Sequence, residues 1–368
     1  MSAQRSYSPS GERVATSTGA MPTGVTVAPN GRIFVNYPHW GDNRAFTVGE
    51  LKDGKVTAYP NAAINHADLA RPGDSLISVQ SVVADAANRL WILDTASPKF
   101  QTPIAGGAKL VAVDLATDKV VRTIVFGPDV VLPTTYLNDV RFDLRQGTAG
   151  VAYITDSSLT GPGGIILVDL ASGRVTRRLS SDPTTMPAKG FVPVVEGKSL
   201  MTRPAGGSPS PWLVASDGIA LSPDGATLYY SPLSSRHLYA VSTALLRDPA
   251  SDNGTLAKAV RDLGLKGATA SRPTHWVAST VAITSTMRSA AWPTASGGRS
   301  RRILAFCGPI LCRSAPTATS TSPPTSCSAK PLSMKAGICG ASPTSCYGSR
   351  SAPGRCCCAA APPYLMIE

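Results

Sequence analysis

The chain reads as an all-β protein, a six-bladed β-propeller left incomplete, with about four blades intact and the fifth and sixth disrupted. Three observations lead to that reading. A turn-and-strand phrase recurs four times before residue 268, paired strands fill the intervals, and the composition changes abruptly after Ala268.

The recurring phrase begins at Pro29-Asn30-Gly31-Arg32-Ile33-Phe34 and returns at Asn88-Arg89-Leu90-Trp91-Ile92. Looser copies stand at Val151-Ala152-Tyr153-Ile154 and at Pro223-Asp224-Gly225-Ala226-Thr227-Leu228-Tyr229. Each pairs a turn with a short apolar run carrying one aromatic, which is the grammar of a strand entered from a tight turn. The anchors Phe34, Trp91, Tyr153 and Tyr229 are 57, 62 and 76 residues apart. Common propeller repeats run roughly 40–50 residues, so loops absorb the excess. Residues 110–115 with 119–126, and 165–170 with 174–179, alternate as half-buried hairpins around short turns. Residues 245–263 are the one segment patterned for a short helix. Radial repetition of such sheets is a propeller.

The net charge of +12 belongs mostly to the end of the chain. After Ala268 there are ten Lys/Arg and one acid, Glu368, and all eight cysteines lie between Cys307 and Cys358. The segment reads as translation of a shifted frame. Taking the third base of each codon with the first two of the next turns Met287-Arg288 into alanine and residues 277–291 and 314–327 into strand-like phrases. These supply two more anchors, opposite Thr280 and Thr321, and make six blades. Cysteine triplets such as Cys356-Cys357-Cys358 are then accidents of the frame rather than a disulfide or metal framework. Three segments follow: a flexible 1–20, a propeller over 21–268, and an aberrant, disordered tail over 269–368 that is basic and rich in Cys, Pro and Ser.

Several functions are excluded. No nucleophile elbow, phosphate loop or dinucleotide fingerprint occurs. The tail's arginines lack interleaved aromatics, so no specific nucleic-acid partner is expected. His39, His66, His237 and His275 stand at no metal-ligand spacing. No run is long enough to span a membrane, and residues 1–20 lack the apolar core of a secretory signal, so the chain as written starts in the cytoplasm.

Polar residues at the start of each blade's innermost strand converge on the propeller axis, and the candidates there are Gln80, Asn138, Asp139 and Asp217. The alternative is that Asn138-Asp139 and Ser216-Asp217-Gly218 merely cap turns by bonding to their own backbone.

Four phrases carry a family likeness: Ile77-Ser78-Val79-Gln80-Ser81-Val82-Val83-Ala84-Asp85, Tyr136-Leu137-Asn138-Asp139-Val140-Arg141-Phe142-Asp143, Ala152-Tyr153-Ile154-Thr155-Asp156-Ser157 and Ser234-Ser235-Arg236-His237-Leu238-Tyr239. In this order they resemble the bacterial branch of the yellow / major royal jelly protein family. The resemblance implies a six-bladed propeller, a monomer, whose central channel binds a small molecule, biogenic amines in some insect members. Many relatives are secreted, so it implies an extracellular protein despite the missing signal. It further implies a binding role for the four candidates, with no catalytic residue and no cofactor. More distantly, Asn138-Asp139 and Asp217 resemble the gluconolactonase / senescence-marker lactonases, which hold a divalent ion with Glu, Asn and Asp. The alternative function is thus a metal-dependent lactonase, or a dopachrome-tautomerase-like enzyme, using a cation such as calcium, which takes oxygen ligands. Thr23-Gly24-Val25 stands where that family's Glu would be.

Overall fold

A computed structural model describes residues 12–16, 20–195, 198–265, 303–305 and 364–367. The expected fifth and sixth blades and the frame shift fall almost wholly outside these residues.

In chain order, β1 (Glu12–Thr16) precedes a first sheet of β2 (Gly24–Val27), β3 (Ile33–Asn36), β4 (Val48–Lys52) and β5 (Lys55–Ala58), then the short helix α1 (Ala62–Asn65). The second sheet comprises β6 (Val79–Ala84), β7 (Arg89–Asp94), β8 (Lys109–Asp114) and β9 (Lys119–Val125). The third comprises β10 (Leu137–Asp143), β11 (Val151–Asp156), β12 (Gly164–Asp169) and β13 (Val175–Arg178). A separate unit, which includes residues 192–212, carries two small hairpins, β14 (Val194–Val195) with β15 (Lys198–Ser199) and β16 (Met201–Thr202) with β17 (Ser210–Pro211). The fourth sheet has β18 (Ser216–Leu221), β19 (Thr227–Pro232) and β20 (His237–Ser242); α2 (Thr243–Arg247) and α3 (Asn253–Ala259) then lead to its last strand, β21 (Arg261–Leu265). From the tail, β22 (Ile303–Ala305) and β23 (Tyr364–Ile367) form a three-stranded sheet with β1.

Each four-stranded sheet is an antiparallel meander in sequence order. Strand β2 packs on β6, β6 on β10 and β10 on β18, so the first strands are innermost and the sheets stand radially as blades. The molecule is an all-β propeller, and four of its blades are described. The anchors Phe34, Trp91, Tyr153 and Tyr229 all fall on second strands, one per blade.

The blades cohere because their middle strands are apolar on both faces. Along β7, Leu90 and Ile92 pack toward the first blade with Phe34 and Val48, while Trp91 and Leu93 pack toward the third with Leu137 and Ile166. Residues two apart point the same way in a strand, so one short run serves two interfaces. Strand β12 repeats the device: Ile166 and Val168 face the second blade, Ile165 and Leu167 the fourth, where Ile219 and Tyr230 wait.

The helix expected over 245–263 is broken in two. Pro249 has no N–H to give and disfavours helical backbone before it. A second start is made by Asp252, whose carboxylate accepts from Thr255 N at 2.7 Å. Among the described residues no helix is long and apolar enough to cross a membrane.

Two blades contain a buried carboxylate at the end of the second strand. Asp94 accepts from the backbone N–H groups of Ile77 (2.7 Å), Ser78 and Ala96 (both 2.9 Å), and from Lys109 Nζ at 2.9 Å. Lys109 spends its other protons on Pro72 O and Gly107 O, and the two side chains are 1% and 0% exposed. Asp156 does the same one blade on. It accepts from Tyr136 N at 2.8 Å, Ser158 N at 3.1 Å and Thr135 Oγ1 at 2.8 Å, and pairs with Arg177 Nη1 at 2.8 Å. Removing one partner of such a pair strands a buried charge, so Lys109→Met is expected to cost about 3–5 kcal/mol. Urea unfolding measures it, and a loss under about 1 kcal/mol would contradict the clamp.

At the other end of the blades, Asp143 accepts from Arg145 Nε at 2.7 Å and Gln146 Nε2 at 3.1 Å, beneath the fourth blade's turn. A side chain at Gly225 (φ 72°) would put its Cβ 2.1 Å from Asp143 Oδ2. Burial pushes the Asp143 carboxyl up, and the hydrogen bonds from Arg145 and Gln146 outweigh it, leaving the group below the usual carboxylate range. A carboxyl depressed by folding stabilises above its unfolded pKa, about 3.9, and loses that contribution as pH falls through the folded value. Asp143→Asn is therefore expected to flatten part of the fall in melting temperature below about pH 4; an unchanged acid limb would refute the assignment.

Candidate functional site

All four candidate residues sit where an inner strand slips register. The β6/β7 ladder shifts between Val79 and Ser81, at Gln80. The β10/β11 ladder shifts between Leu137 and Val140, at Asn138 and Asp139, and β18/β19 between Ser216 and Gly218, at Asp217. An extra residue in one strand re-aims its side chain and bends the backbone. In the first blade the ladder is regular, with Gly24 opposite Asn36.

These positions join neighbouring blades. Thr23 Oγ1 donates to Gln80 O at 3.3 Å, from blade one to two. Gln80 Nε2 donates to Asn138 Oδ1 and Ser81 Oγ to Asp139 Oδ1, both at 2.9 Å, from two to three. Thr155 Oγ1 donates to Asp217 O at 2.9 Å, and Ser157 Oγ lies 3.5 Å from Asp217 Oδ2, from three to four. The structure thus brings Gln80 and Asn138 into direct contact, Asp139 into the neighbouring pair, and Asp217 into the next step of the same polar ring. Local capping is also present: Asp139 Oδ1 accepts from Val140 N at 2.8 Å.

Because each blade is a meander, the loops from second to third strand rise at the same end as these bulges. The β3–β4 loop brings Trp40 and the β7–β8 loop Phe100, and the connection into β10 brings Tyr136. Trp40 stacks on Phe100 at 5.3 Å between ring centres, and Phe100 on Tyr136 at 4.9 Å. Trp40 Nε1 donates to Tyr136 OH at 2.6 Å, and Tyr136 OH donates to Gln80 Oε1 at 2.9 Å. Burial pushes the Tyr136 phenol up, with Trp40's hydrogen bond pulling the other way, so it serves as a neutral donor. A cleft of about 580 Å³ opens beside Phe100 and Tyr136, with Gln101, Thr102, Thr134 and Thr160 among its walls.

Lys99 and Phe100 both hold positive φ, 55° and 59°. Non-glycine residues there are strained, and such strain clusters where a loop must present a side chain. Trp40 and Phe100 stand on loops that carry no periodic signal, whereas Tyr136 lies two residues before Asn138 in one of the family-like phrases.

Two of the residues that resemble the lactonase set have their oxygens engaged by other side chains. Asp139 is paired with Arg141 at 2.8 Å and Asn138 Oδ1 already accepts from Gln80. Among the described residues no three His, Cys, Asp or Glu side chains gather. His237 instead meets Asp262 at 2.7 Å, an exposed pair tying β20 to β21.

Comparison with known proteins agrees with the four sequence phrases. The family model described as Major royal jelly protein matches residues 77–290. Major royal jelly protein 7 of Apis mellifera is 27% identical over 175 residues, 46% of this chain and 35% of that protein. Protein yellow of Drosophila subobscura is 28% identical over 242 residues, 63% of this chain and 40% of that protein. The matched part of the chain thus spans well under half the length of these relatives. Among solved structures, the periplasmic gluconolactonase of Pseudomonas aeruginosa is 18% identical with a TM-score of 0.35, over 77% of this chain and 63% of that one. The Xanthomonas campestris gluconolactonase is 13% identical with a TM-score of 0.38, over 68% and 66%. With the family model covering more than half of its residues, this chain belongs to the major royal jelly protein family.

Proposed function

We propose that the chain binds a small organic ligand at the mouth formed by the inner-strand bulges and the aromatic stack, and performs no chemistry on it. The supporting observation is the polar ring itself. Gln80, Asn138, Asp139 and Asp217 come from three blades, sit at bulges, and take hydrogen bonds across the blade boundaries, Gln80 with Asn138, Ser81 with Asp139 and Thr155 with the Asp217 carbonyl. A few fixed polar groups beside apolar walls are what orient a small ligand. The Trp40–Phe100–Tyr136 stack supplies the wall, and aromatic pairs of this kind favour a flat ring as guest.

General acid–base catalysis wants a group that titrates near the working pH. Here the phenol is displaced upward by burial and Asp139 is committed to Arg141. Those side chains are built to hold and orient.

Titration calorimetry on the full chain with small indole compounds, amine, amide and acid, tests the proposal. Saturable binding is expected, weakened about tenfold or more by Asn138→Ala, which removes one oriented polar group. Absence of saturable binding by any of them, in a protein that still melts cooperatively, would refute it.

A further inference from the structure

Among the described residues, the mouth carries one cation, Arg44, that no carboxylate pairs with. Arg44, on the β3–β4 loop, donates through Nη2 to Ile77 O at 2.9 Å, and its Nε is buried with no hydrogen-bond partner among the described residues. No carboxylate among the described residues forms an ion pair with it. Asp94 lies close enough to act on it electrostatically, but that carboxylate is already matched by Lys109 and three backbone N–H groups. A half-buried guanidinium whose Nε is sealed from solvent and unpaired is costly unless something acceptor-rich meets it.

One further cation, Lys99, and the imidazole of His39 lie close by. Lys99 N donates to His39 O at 2.6 Å, and His39 N donates to Ser78 Oγ, next to the carbonyl that Arg44 holds. His39 is pushed down from its ordinary value by burial, then by the charges of Arg44 and Lys99, each of which lies within electrostatic reach of the imidazole. Arg44 shares the β3–β4 loop with Trp40 and Lys99 directly precedes Phe100, so the two loops that carry the rings also carry the two charges.

Resting on the reading of this mouth as a ligand site, we infer that it selects an anion: the carboxylate of a small aromatic acid, held by Arg44 with Lys99 beside it, its ring against the Trp40–Phe100–Tyr136 stack. A guanidinium's planar fork suits a carboxylate, and charge-assisted bonds of this kind are about twice as strong as neutral ones. The strained backbone at Lys99 and Phe100 fits the same role, since one turn delivers both the charge and the ring.

The test uses the full chain and three probes that share one ring: indole-3-acetate, its neutral isostere indole-3-acetamide, and tryptamine. Calorimetry is expected to show the acetate binding about tenfold more tightly than the other two, a preference erased by Arg44→Gln, partly kept by Arg44→Lys, and reduced by the exposed Lys99→Ala. Each variant is checked for a cooperative melt, and Lys99→Ala carries the test if Arg44→Gln fails to fold. Equal binding of the three, a preference for tryptamine, or an acetate preference that survives both Arg44→Gln and Lys99→Ala overturns the inference while leaving the ligand site in place. Binding of none of the probes overturns the site reading and this inference together.

Discussion

The whole arrangement depends on a buried carboxylate that ends the second strand of a blade and holds the backbone leading into the first. Asp94 fixes Ile77 and Ser78, the residues just before Gln80, and Asp156 fixes Tyr136, just before Asn138 and Asp139. Each carboxylate is neutralised from an outer strand, by Lys109 on β8 and by Arg177 on β13. Such a pair need not add net stability over an apolar substitute. What it fixes is geometry: the point at which an inner strand starts, and so the aim of the bulge that follows.

The outer blades solve the same problem differently. The first blade has Asn36 opposite Gly24 where its neighbours have aspartate, and a Cβ on Gly24 would lie 2.1 Å from Asn36 Oδ1. An amide needs no counter-ion, and Asn36 Nδ2 donates to Thr23 Oγ1 and to Val79 O across the blade boundary. The fourth blade has Pro232 opposite Ser216, with Ser216 Oγ donating to Thr185 O. The polar ring at the mouth thus runs through four blades on three different supports. The aromatic stack runs from the loops of the first and second blades to the entry of the third, and Arg44 joins the first blade to the second.

Much of this was legible in the residues. Alternation and turn chemistry marked Phe34, Trp91, Tyr153 and Tyr229 as strand anchors, because a blade's second strand must be apolar on both faces and must be entered through a tight turn. The polar residues at inner-strand starts were legible for a related reason, since Gln80, Asn138 and Asp217 interrupt runs that otherwise belong to the core. Other features left no local trace. Lys109 answers a carboxylate 15 residues away and Arg177 one 21 residues away, and only the meander makes them neighbours. Trp40, Arg44 and Phe100 ride on loops without period, where position is decided by contacts with other blades. The break at Pro249 was readable in principle, and the apolar pattern around it masked the fact.

Native-state amide hydrogen exchange reads the strand starts one residue at a time. If the buried carboxylates hold the inner strands, the N–H groups of Ile77, Ser78 and Tyr136 will exchange only through global unfolding, as slowly as mid-strand amides such as Ile92 and Ile154. Exchange at these three positions by local opening, at rates like those of the exposed turns, would show that the clamps do not set the strand starts.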